Sequence, residues 1–69
     1  MTVEALLKQL RDEHKDHTDD AMEFALIRDH YYKCGRYDIG LKYDLKRVES
    51  SNEADAIIKT IIEIEKRVS

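Results

Sequence analysis

The chain has no proline and only two glycines, Gly35 and Gly40, so almost nothing in it interrupts a helix and only one place suits a sharp turn. Both glycines fall within Tyr31–Val48, YYKCGRYDIGLKYDLKRV, which also holds all four tyrosines and a net charge of +3. The flanks are opposite in sign, −4 over residues 1–30 and −2 over residues 49–69. Tyrosine and arginine are the residues most often found as energetic anchors in protein interfaces. A basic, aromatic strip can also hold nucleic acid.

Sixty-nine residues make one domain near the lower limit for independent folding. Ordering the chain costs roughly 1.5 kcal/mol per residue, which one small core barely offsets. Cys34 is the only cysteine, so no intrachain disulfide can help. No apolar run is long enough to span a bilayer, and no charged-then-apolar leader is visible at the N-terminus. These features predict a cytoplasmic protein without membrane contact, stabilised as a homodimer. A net charge of −3 argues against a general duplex-DNA binder, whose domain is normally strongly basic.

The patterning predicts an all-α fold, an antiparallel helical hairpin or bundle of three to four helices covering about 3–15, 20–34, 37–49 and 52–68. Thr2 is placed to cap the first helix, and Val3, Leu6, Leu7 and Leu10 form one stripe. The run Arg11–Asp20 holds no apolar residue, so the helix is expected to fade there, with Asp20 and Glu23 restarting it. Gly35 is the natural left-handed stop for the second helix. An unbroken helix from Ala21 to Glu49 is the alternative, since Phe24, Ile27, Tyr31, Cys34, Asp38, Leu41, Leu45 and Val48 keep a 3-4 spacing. Tyr37, Leu41, Leu45 and Val48 share a helical face, expected to be the inner one, and Tyr43 lies off it. Ser50 and Glu53 have capping-box spacing in an expected loop, and Ala54, Ile57, Ile58, Ile61, Ile62, Ile64 and Val68 are the expected core of the last helix.

Across Ala21–Val48 the sequence resembles the centre of a single tetratricopeptide repeat, a helix-turn-helix unit. Phe24, Ile27 and Tyr31 stand where that family has Trp, Leu and Tyr, Gly35 and Tyr37 match its turn, and Gly40 takes the place of its small residue. Arg28, Asp44 and Arg47 depart from the pattern, and no proline closes the unit. The resemblance implies two antiparallel helices in close approach and, more distantly, peptide binding.

Catalytic chemistry finds little material. There is no glycine-rich phosphate loop, no nucleophile with a supporting base, and no apolar carboxylate pair. No metal site is expected: His30 and Cys34, one helical turn apart, could share an ion, but folding back places His14 and His17 near a loop at 17–20, roughly 15 Å from His30. Asp12, Glu13, Asp16, Asp19 and Asp20 lack calcium-loop spacing and read as a solvated connector. The reading is a non-enzyme without cofactor, a small regulator or inhibitor that binds another protein. Its size suits a stand-alone antagonist such as phages and mobile elements encode, and so a viral protein. Tyr31 is expected in the core, and Tyr32, Arg36, Tyr43 and Arg47 are the expected partner contacts. The alternatives are nucleic-acid binding through segment 31–48 and capture of a nucleotide or other small ligand by an oligomer.

Overall fold

The computed structural model describes residues 2–68, which form two helices, α1 (Val3–Lys33) and α2 (Tyr37–Val68), folded back on each other. The all-α class and the antiparallel hairpin follow the sequence reading, but the number of helices does not. Two helices stand where three to four were expected.

The polar run Arg11–Asp20 stays helical from end to end. Once a helix is nucleated, each added residue costs little, so a segment without apolar residues can carry it between two anchored ends. Gln9 donates to Glu13 at 3.2 Å, and the Thr18 hydroxyl to the His14 carbonyl at 2.8 Å. Ser50–Glu53 likewise lies inside α2. With no helix end there, no orphan amides exist for the Ser50 hydroxyl to receive.

The termini behave as their residues suggest. Thr2 is the N-cap of α1, its hydroxyl accepting from the Ala5 amide at 3.1 Å. Gly35 takes φ +77°, the Arg36 amide donates to the Tyr31 carbonyl at 2.9 Å, and the Gly35 amide donates to the Tyr32 carbonyl at 3.1 Å. That pair of bonds is a Schellman motif, which ends α1 and rules out the unbroken 21–49 helix. The Arg36 carbonyl then accepts from Gly40 and starts α2.

The two helices meet along heptad rows. On α1 the less exposed positions include Leu7, Leu10, His14, His17, Ala21, Phe24, Arg28 and Tyr31; on α2 they include Gly40, Tyr43, Arg47, Ser50, Ala54, Ile57, Ile61 and Ile64. Both rows keep an unbroken 3-4 spacing, the signature of a two-stranded coiled coil. Run in opposite directions, they set Leu10 and Leu7 at the level of Ile61 and Ile64, with Arg11 bridging Glu65 at 2.7 Å beside them. Small and polar residues fill the middle of the rod, and aromatic and charged ones the end nearest the turn.

This seam corrects two expected faces. Ile27 gives up its place to Arg28, and Tyr37, Leu41, Leu45 and Val48 point to solvent rather than to α1. Of the expected α2 core, Ala54 and Ile61 are buried and Ile57 and Ile64 half-buried, while Ile58, Ile62 and Val68 are exposed.

The product is a rod of 51 × 15 × 14 Å with a radius of gyration of 15.7 Å. A compact domain of this length has a radius near 11 Å. Its surface is 5302 Å², whereas a folded monomer of 8.1 kDa exposes about 4,500 Å². Among the described residues, eleven large hydrophobic side chains are exposed and the buried hydrophobic residues are Ala54 and Ile61 alone.

Candidate protein-docking face

The four residues chosen from sequence do not gather into one exposed cluster. Tyr43 is half-buried in the seam, its ring stacked on Tyr31 with centroids 5.9 Å apart and planes 7° from parallel. Phe24 lies 6.2 Å away on the same ring, and the Lys46 ammonium sits 5.2 Å from its centroid. Tyr32 is half-buried too, pairing with Tyr37 at 5.8 Å and covering the buried Gly40. Arg47 turns its Nε to the Asp44 carboxylate at 3.0 Å. Arg36 alone stands free of the seam, exposed at the turn and 3.8 Å from Asp38. Tyr31, expected in the core, is a half-buried seam residue.

What holds this end together is a charged knot that apolar periodicity could not reveal. Arg28 Nη1 donates to Asp44 Oδ1 at 2.7 Å, Arg47 Nε reaches the same oxygen, and Arg28 Nε reaches Asp29 at 3.0 Å. The Arg28 hydrogen bond, and after it that of Arg47, holds the Asp44 carboxyl below its ordinary pKa of 3.8. The same bonds, Asp44 first, raise Arg28 above its ordinary value.

The sequence signal for the exposed face was present but assigned to the wrong side. Tyr37 (68% exposed), Leu41 (54%) and Leu45 (58%) run up the outside of α2 to Val48, and Ile58 and Ile62 resume the row further along. On α1, Met22 and Leu26 are also exposed, at the level where the upper α2 row lies. An apolar row of this length on a rod with so small a core has the character of a protein-contact surface.

His30 Nε2 and Cys34 Sγ approach to 3.9 Å. Because α1 has no fold-back at 17–20, His17 lies thirteen residues from His30 along one helix, about 20 Å rather than the 15 Å expected. Among the described residues no three His, Cys, Asp or Glu side chains could share an ion, and no helix is long and apolar enough to cross a membrane. A shallow open depression along Lys59, Thr60, Glu63, Ile64 and Arg67 lies on α2 alone.

No family model matches the chain, and neither does any curated protein or solved structure.

Proposed function

We propose that this chain is a non-enzymatic, cytoplasmic protein-binding regulator or inhibitor, acting through the outer face of α2, with other proteins, itself included, as its partners. The observation that carries this reading is the exposed row Tyr37, Leu41, Leu45 and Val48. Contiguous apolar surface of this kind is costly to leave in water and marks interaction sites. The partner contacts therefore move from Tyr32 and Tyr43, whose rings serve the hairpin, to Tyr37, Leu41 and Leu45, with Arg36 still available beside them. Nucleic-acid binding draws less support, because three of the four tyrosine rings pack within the hairpin and Lys46 and Arg47 are engaged there. A photo-crosslinking amino acid at position 45, in cells that produce the protein, should yield protein adducts. A control at exposed Lys15 should yield few. Equal labelling at both positions would remove the α2 face from consideration.

A further inference from the structure

We infer that the occupant of the α2 face is a second copy of this chain, docked α2 against α2 in antiparallel fashion across a two-fold axis near Ser51 and Asn52. This rests on the reading of that face as a protein-binding surface and names its partner.

Three independent features fit a second copy. The outer row of α2 is divided into an upper apolar part, Leu41, Leu45 and Val48, and a lower one, Ile58 and Ile62, with Ser51 and Asn52 between them. An isologous contact must be self-complementary, each patch meeting the other patch of its twin. Turning the helix about a point between Ser51 and Asn52 brings Leu41 to the level of Ile62 of the partner subunit, and Leu45 to that of Ile58 of the partner subunit. Val48 then comes to the level of Asp55 of the partner subunit. This is the one apolar-to-acidic mismatch in the row, and it keeps the affinity moderate.

Charge follows the same register. Lys42 and Glu63 flank the row, both exposed, and neither is engaged in an ion pair among the described residues. The two-fold operation sets Lys42 near Glu63 of the partner subunit, and does so twice per dimer. The amount of surface also fits. The chain exposes about 800 Å² more than a compact monomer of its mass, which is close to what each partner buries in a standard interface. The resulting assembly is a four-helix bundle with the two turns at opposite ends.

Sedimentation equilibrium of the full chain tests this. A dimer at micromolar concentration is expected, and Leu41→Glu with Leu45→Glu should give a monomer that keeps its helical circular dichroism. If that variant unfolds instead, the charge variants carry the test. Lys42→Glu and Glu63→Lys should each weaken dimerisation about fivefold, and the two together should restore it. A wild-type monomer up to about 100 µM overturns the inference, as does a dimer whose affinity ignores both the charge swap and the leucine changes. Such a monomer that still crosslinks to another protein from position 45 overturns the second copy alone and leaves the protein-binding reading standing. A monomer without adducts overturns both.

Discussion

The ring of Tyr32 occupies the space that a side chain on Gly40 would need. A Cβ built on Gly40 overlaps Tyr32 Cδ1 and Cε1, and Gly40 is buried beneath them. Two helices can approach so closely near their turn because one of them offers bare backbone.

That relationship reverses the usual sign of a helix substitution. Replacing an interior helical glycine with alanine normally stabilises by about 1 kcal/mol. Here the added methyl must displace an aromatic ring packed on α2, so Gly40→Ala should destabilise by about 1–2 kcal/mol. In a Tyr32→Ala background the clash is gone, and the same substitution should stabilise by about 1 kcal/mol. Denaturant unfolding of the four proteins in that cycle measures the coupling, and additive behaviour would contradict it.

Gly35 poses the opposite case. A Cβ there meets nothing within 4 Å, so space is not the obstacle; its φ of +77° is. Gly35→Ala should cost about 1 kcal/mol through backbone strain alone, and Gly35→Asn less, since asparagine tolerates the left-handed region. A rise in melting temperature for the alanine variant would mean that the chain runs through the turn as one helix.

The Arg28–Asp44–Arg47 knot predicts an acid limb. The folded pKa of Asp44 lies below its ordinary 3.8, so its stabilising contribution is full above that value and drains as pH falls through the lower folded one. Asp44→Asn should therefore lower stability at neutral pH and flatten the dependence below about pH 4. Melting temperatures of the two proteins from pH 2 to 7 should converge at the acid end. Parallel curves would assign the acid loss to other carboxylates.

Much of this was legible in the sequence, and the failures have a common cause. Thr2, Gly35 and the helical class were readable because caps and left-handed turns depend on local chemistry. The seam was not, because polar, charged and glycine positions interrupt its apolar residues. On α1 it passes through His14, His17 and Arg28, and on α2 through Gly40, Arg47 and Ser50. Apolar periodicity therefore ended α1 at its polar run and preferred Ile27 to Arg28. It also took Tyr37, Leu41, Leu45 and Val48 for an inner face.

The tyrosines follow from the same correction. Sequence spacing placed Tyr32 and Tyr43 among the partner contacts rather than in the fold's packing. Tyr43 stacks on Tyr31 and contacts Phe24, so Tyr43→Ala should lower stability by about 1–2 kcal/mol, less than for a fully buried aromatic. Tyr37→Ala, at an exposed ring, should change stability by about half a kcal/mol or less and act on partner binding instead. Thermal unfolding beside a binding measurement separates the two, and equal losses of stability would erase the distinction.

The middle of the rod supplies the last prediction. His14 lies half-buried on the α1 row at the level of Ile57, where a coiled coil would carry an apolar side chain. His17 is one step along the same row and holds Glu53 at 3.1 Å through Nδ1, while the His14 ring has no such partner among the described residues. His14→Leu should then add apolar contact without removing a pairing, stabilising the hairpin by about 1 kcal/mol. His17→Leu should gain less, since it gives up Glu53. For a domain this small, 1 kcal/mol corresponds to about 4–8 °C in melting temperature. The gain exists only if α1 continues through Arg11–Asp20 and keeps its seam against α2 there. A His14→Leu protein no more stable than the parent, with fast amide exchange across residues 12–20, would restore the helix break that the polar run first suggested.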